Sequence, residues 1–275
     1  MDRDSGQGAD GFDEEQGRPL LGPARLPLGP TGLLLGPGRL LLGIDTCGPT
    51  GSVASARLDG ESAQILEQIG LEGRSYSATL VAAVGDLLAR AGARVADVGA
   101  IVAVNGPGSF TGVRVGLSAV KGLAEVNRTP VVAVSRLEVL AWKAGLASSA
   151  LDAHRQEVFL RLGEPSRAAR ELLAGAAELA GICPVGEPGG GALVAGKVAI
   201  CDEAATSLLG SAWPSVQLVR VDAPTAADAL GLCAPRVAAG YFVDLALFDG
   251  NYLRRSDAEI FGETSLAQAS EASRP

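Results

Sequence analysis

One stretch constrains the fold of this chain more than any other: residues 105–127, NGPGSFTGVRVGLSAVKGLAEVN. It follows an apolar, β-type run at 100–104, opens on a Gly-Pro-Gly turn and then reads as a helix. Strand, glycine-rich turn and helix N-terminus in succession are the usual layout of a phosphate or anion site, because the first-turn amides have no partner inside the helix and the dipole adds positive charge there. Ser109 or Thr111 supplies a hydroxyl able to cap the helix. The plainer alternative is that GPGSF is only a tight loop.

The helix carries more information than the loop. At 100° per residue, Arg114, Ser118, Lys121 and Glu125 share one narrow polar stripe. The rest of the circumference is apolar or small. Glycine inside a helix costs about 1 kcal/mol relative to alanine, so Gly112, Gly116 and Gly122 point to close packing. Residues 75–91 repeat the pattern. Tyr76, Leu80, Val84, Leu87, Leu88 and Ala91 form a broad apolar face, and Ala78, Ala82, Gly85 and Ala89 a small-residue face opposite. Each helix has more apolar surface than one sheet can cover: either the helices are buried inside their own domain, or one face packs on a sheet and another on a second chain.

Composition narrows the chemistry. The 275 residues carry a formal net charge of −8, which argues against unaided nucleic-acid binding through a broad basic surface. Cys47, Cys183, Cys201 and Cys233 form no CxxC pair and read as buried cytosolic thiols. No apolar run approaches a membrane span, so a cytoplasmic protein is expected. The single histidine, His154, excludes any metal site built on paired histidines.

Residues 1–38 are expected to be a disordered, low-complexity extension. They begin acidic and glycine-rich, then repeat Leu-Gly-Pro from Leu21, Leu28 and Leu35, every seven residues. Proline in each copy rules out a coiled coil. Folding is expected from Arg39, with strands RLLLGIDTCG, GSVASARLDG and SAQILEQIGL, the first two ending at an Asp45-Thr46 tip and an Asp59-Gly60 turn. An acid and a hydroxyl at that tip, with Gly106, Gly108, Ser109 and Thr111, make a candidate phosphate or nucleotide loop. VVAVS (131–135) is a strand, followed by a helix with a Ser135/Glu138 capping box. LDAHRQEVFLRL (151–162) alternates as one strand, 171–180 is read as a short helix, and PTAADALGLCAPRVAAG as a longer one.

Several motifs resemble one family. GPGSFTGVRVGLSAVKGLA (106–124) is similar to the signature of the TsaB (YeaZ) family, partners of the threonylcarbamoyl transferase TsaD. LLLGIDTCGPTGSVA, LDAHRQEVFLRL and YLRRSDAEIF (252–261) agree in order. The resemblance implies an α/β, actin-like ATPase (ASKHA) fold of two RNase H-like subdomains with mixed sheets, at 39–130 and 131–262, before a disordered tail at 263–275. It implies a non-catalytic scaffold subunit of the tRNA threonylcarbamoyladenosine (t6A) complex, with no catalytic residue or metal of its own. The complex would use ATP and a TsaD-bound metal, with TsaE as a further partner and tRNA engaged through the assembly. Isolated members form homodimers through the TsaD-pairing surface. That surface maps here to Tyr76, Leu80, Val84, Leu87, Gly112, Val113, Gly116, Val120 and Leu123. Gly116→Arg or Leu80→Arg is then expected to block pairing without unfolding the chain. The alternative from another class is an independent actin-like ATPase or small-molecule kinase using Asp45, Thr46 and the 106–112 loop.

Overall fold

In the computed structural model, residues 38–164, 167–182 and 196–254 are described. The expectations for residues 1–37, for Cys183 and for the tail beyond Arg254 lie outside them. Two five-stranded mixed sheets organise the chain. The first contains β1 (Leu40–Asp45), β2 (Thr50–Asp59), β3 (Ser62–Glu72), β4 (Val98–Val104) and β5 (Val131–Val134), in the order β3-β2-β1-β4-β5. β1 is antiparallel to β2 and parallel to β4. The second contains β6 (Ser149–Asp152), β7 (Val158–Glu164), β8 (Arg167–Ala174), β9 (Lys197–Ile200) and β10 (Gln217–Arg220). Read from the far edge, its order is β8-β7-β6-β9-β10, with β6 antiparallel to β7 and parallel to β9. Both sheets thus follow one 3-2-1-4-5 plan, that of RNase H. Two such sheets in one chain give the actin-like arrangement the sequence implied.

Six helices complete the described fold: α1 (Tyr76–Arg90), α2 (Phe110–Asn127), α3 (Arg136–Lys143), α4 (Ala176–Gly181), α5 (Glu203–Ala212) and α6 (Ala226–Ala238). Side chains alternate across a strand, so neighbours in β2 report which helix covers which face. A Cβ on Gly51 would lie 2.9 Å from the Tyr76 ring of α1, whereas the Ser52 hydroxyl accepts a hydrogen bond from Ala226 N, at the start of α6. α1 therefore covers one face of the first sheet and α6 the other. Gly43 makes the second contact possible, since a Cβ there would meet Ala226 O at 2.8 Å. In β7, Val158, Leu160 and Leu162 join the core beneath α4 and α5, while Phe159 points into the core under α3. Trp213 Nε1 donates to Leu179 O at 3.0 Å and locks α5 to α4.

Four sequence expectations need correction. The boundary placed at 130/131 falls inside the first unit, because β5 pairs with β4 and α6 packs on the first sheet. The 151–162 run is a hairpin, not one strand. It turns through His154, Arg155 and Gln156, all left-handed (φ 60°, 54° and 61°), with no glycine to announce the turn. The helix read over 171–180 is β8 followed by the shorter α4, and α5 was not anticipated. Ser135 caps α3, its hydroxyl accepting from Leu137 N at 3.2 Å, but Glu138 does not close the box. Its carboxylate is drawn instead to Arg161 of β7 and Arg236 of α6.

Candidate functional site

A cleft of about 990 Å³ opens between the two sheets, a size typical of a small-molecule site. The first lobe contributes Gly48, Gly108, Ser109 and the N-terminal turn of α2. The second contributes Leu151, Asp152, Phe159 and Asp202, and the closing segment adds Asn251 to Arg254. That segment bridges the lobes. Asn251 N donates to Asn105 O at 2.7 Å, Asn251 Nδ2 reaches Glu171 Oε2 at 2.7 Å, and Arg254 pairs with Glu157. Ser135 and Arg161 also bind the Glu171 carboxylate, both at 2.8 Å. Glu171 in β8 thereby gathers α3, β7 and the closing segment behind the cleft.

The Gly-Pro-Gly loop sits hard against the end of β1. Ser109 N donates to Cys47 O at 2.8 Å, and a Cβ on Gly108 would approach Cys47 O to 2.1 Å. Ser109, not Thr111, caps α2, accepting from Gly112 N at 3.3 Å. Gly108 packs on the Cys47 backbone and Gly112 on the Thr46 backbone, approaches that only glycine permits.

This packing divides the candidate phosphate loop. Gly108 and Ser109 line the cleft; Asp45, Thr46, Gly106 and Thr111 do not. Thr46 is buried, and its hydroxyl donates to Gly112 O at 2.7 Å. Asp45 is 1% exposed; it accepts from Cys47 N at 2.8 Å and stands 3.5 Å from Arg136 Nε. The acid and hydroxyl are spent inside the protein, so they hold no phosphate as placed. Thr111 is exposed beyond the cleft. His154 is exposed at the rim, its Nδ1 3.0 Å from Asp152 Oδ2. Among the described residues no three His, Cys, Asp or Glu side chains converge as metal donors.

Arg136 is the site residue the sequence concealed. It is buried at the cleft floor beneath Gly48, where a Cβ would lie 2.4 Å from Nη2. A cation in the first turn of a helix opposes the dipole, and that misfit at the start of α3 was the available signal. The Phe110–Tyr252 pair, ring centroids 5.5 Å apart with Arg114 over Phe110 at 3.7 Å, is also invisible in sequence, because its members lie on distant segments.

The residues assigned to partner binding are inside the molecule. Tyr76, Leu80, Val84, Leu87, Gly112, Val113, Gly116 and Val120 are buried, and Leu123 is half-buried. They pack α1 and α2 on the sheet and on each other. Gly112 and Gly116 admit Thr46, whose O and Oγ1 would lie 2.1 and 2.2 Å from the added Cβ atoms. Arginine at 80 or 116 thus breaks this core and does not report on pairing. The outer face is different. Val81 and Val126 are 73% and 81% exposed, and Ala78, Ala82, Gly85, Ala89 and Gly122 are exposed with them. A Cβ at Gly85 or Gly122 would touch nothing.

Burial sets the thiol chemistry. It pushes Cys47 well above the usual range, reinforced by neighbouring Asp45, and Cys233 up to about 12. Both stay protonated in the fold when the unfolded chain ionises above about pH 8.5. The unfolded state then holds fewer protons, so stability present below that pH is lost as pH rises, by about 1.4 kcal/mol per unit per thiol. Urea midpoints should fall between pH 8 and pH 10, and less steeply in Cys47→Ala and Cys233→Ala proteins. An unchanged slope in both would remove the thiols as the cause.

The comparisons match this geometry. Two solved structures from Pseudomonas aeruginosa, one titled YeaZ and one an uncharacterized protein with similarity to peptidase YeaZ, superpose with TM-scores of 0.59 and 0.62. Both are 28% identical, and the alignments cover 78% of this chain and 99% of theirs. Bacillus subtilis and Escherichia coli proteins named tRNA threonylcarbamoyladenosine biosynthesis protein TsaB are 37% and 35% identical over 123 and 92 residues. The chain is similar to TsaB (YeaZ) proteins in both sequence and fold. The matches cover 43% and 31% of this chain, which spans 52% and 40% of those relatives' own lengths. The family model described as TsaD, tRNA N6-adenosine threonylcarbamoyltransferase, matches residues 67–188 of this chain. No helix among its described residues is long and apolar enough to cross a membrane.

Proposed function

We propose that this chain serves tRNA threonylcarbamoyladenosine biosynthesis as a non-catalytic subunit. It docks a TsaD-type partner through the outer faces of α1 and α2. The relatives' names support the pathway. One structural observation carries the docking face: Gly85 and Gly122 stand exposed in helices with nothing near an added Cβ. Glycine there weakens the helix by about 1 kcal/mol and serves no internal contact. It suits a second backbone approaching closely, and Ala78, Val81, Ala82, Ala89 and Val126 supply low-charge surface around it. In this reading TsaD brings the metal and the transfer chemistry, ATP is used elsewhere in the complex with TsaE, and tRNA is met by the assembly. The same face pairs two copies of the chain when TsaD is absent.

Val81→Arg and Gly85→Arg should each abolish co-elution with TsaD on size exclusion while leaving the unfolding midpoint within a few degrees of wild type. Wild-type co-elution of both variants would sink the docking face. Failure of the wild-type chain to bind TsaD at all would sink the partnership. The independent ATPase or kinase reading is disfavoured by Asp45 and Thr46, both committed to internal contacts.

A further inference from the structure

We propose that a stripe of unpaired cations along α2, ended by an exposed aromatic pair, is a contact for an RNA strand. The proposal deepens the tRNA reading above and rests on it only for which RNA is bound.

The helix α2 holds its charges on a rigid line. Arg114 and Lys121 are seven residues, or two turns, apart, and so share one side of the helix about 10 Å apart along its axis. Arg128, the left-handed C-cap, follows seven residues on, where the helix ends. Arg114 and Arg128 are exposed and Lys121 is half-exposed. Elsewhere Arg90, Arg161, Arg220 and Arg236 each meet a carboxylate. On the stripe, Arg114 lies over the Phe110 ring at 3.7 Å and Lys121 lies 6.0 Å from the Phe248 ring. Among the described residues, none of the three cations meets an acid. In a chain of formal net charge −8, three cations left unpaired on one line are a local attraction for a polyanion.

An aromatic pair closes the N-terminal end of the stripe. Phe110 and Tyr252 are 42% and 38% exposed, with their planes tilted by 53°. Rings left in water beside cations suit stacked bases on a charged backbone. An acidic peptide would use the cations and leave the rings idle, so the combination favours RNA. Glu125, four residues beyond Lys121 and exposed, is an acid on the same side and holds the affinity down. Gly122 and Val126 lie about 100° round the helix, so the stripe is clear of the proposed docking face.

Fluorescence anisotropy of a labelled, unmodified tRNA transcript with the full chain, at low salt and without TsaD, tests this. Wild type should bind with a log–log salt slope of about −2 to −3, the value for three phosphate contacts. Arg114→Glu, Lys121→Glu and Arg128→Glu should each weaken binding about tenfold and reduce the slope by about 1. Tyr252→Ala should weaken it about fivefold or more and leave the slope unchanged. Glu125→Lys should tighten it severalfold, a gain that misfolding cannot imitate. No binding by wild type, wild-type affinity in all three glutamate variants, or equal binding of poly-glutamate would overturn the proposal. Pairing with TsaD is read separately by size exclusion. If wild type fails to pair yet binds tRNA through the stripe, the docking reading falls and this one stands; if it pairs and the stripe variants bind tRNA as wild type does, the reverse holds.

Discussion

Arg136→Leu should lower the unfolding free energy by about 3–5 kcal/mol, because it strands the Asp45 carboxylate in the interior. Asp45 is 1% exposed, and Arg136 is the cation beside it, at 3.5 Å. The loss exceeds what leucine's added apolar contact returns. Arg136 N also donates to Gly106 O at 2.7 Å, which fixes where the guanidinium sits, but that backbone bond survives the substitution. The loss is therefore electrostatic. Asp45→Asn/Arg136→Leu should recover more than half of it, since both charges are then gone. Urea denaturation of wild type, both single variants and the double variant measures the coupling. A double variant as unstable as the sum of the singles would show that packing, not the ion pair, holds this floor together.

Gly112→Ala should destabilise the chain by about 3 kcal/mol or more, while Gly85→Ala and Gly122→Ala stabilise it by about 0.5–1 kcal/mol each. All three glycines are helical, so propensity alone predicts the same gain at each. Space decides the sign. A Cβ at Gly112 would lie 2.1 Å from Thr46 O, a backbone atom tied to β1 with no room to retreat. At Gly85 and Gly122 it would enter solvent. Thermal unfolding of the three variants separates these outcomes. The two stabilised proteins should also bind TsaD less well if the docking face is as proposed, because added methyls hold the helices apart. Stability gained at no loss of pairing would leave those glycines unexplained.

Much of the architecture was legible in the chain. The apolar runs of β1 and β4, the turn signals between them and the 3.6-residue periodicity of α1 and α2 depend on local chemistry, and local chemistry is what a sequence displays. So did the small-residue face of α1, whose pattern is a property of one helix. What periodicity could not give was which apolar face each helix turns inward. The broad face of Tyr76, Leu80, Val84 and Leu87 offered itself as a partner surface, yet it is the face with the greater area to bury, and the chain's own sheet takes it. The hairpin at 151–162 stayed hidden because its left-handed turn uses His154, Arg155 and Gln156 in place of glycine, with the fold holding them there.

The cleft shows the division most clearly. By itself the sequence determined a strand, a tight glycine turn and a helix, and with them first-turn amides that have no carbonyl partner inside the helix. It also determined the family motifs that run in order from β1 to the closing segment. Only the tertiary structure decided what those amides face. Bringing α3 under the loop placed Arg136 against Asp45, took the acid out of any phosphate chemistry and left a cation at the floor. The physical reason is distance along the chain. Asp45, Gly108 and Arg136 lie in separate segments, and a buried charge acquires its role only from neighbours that folding supplies.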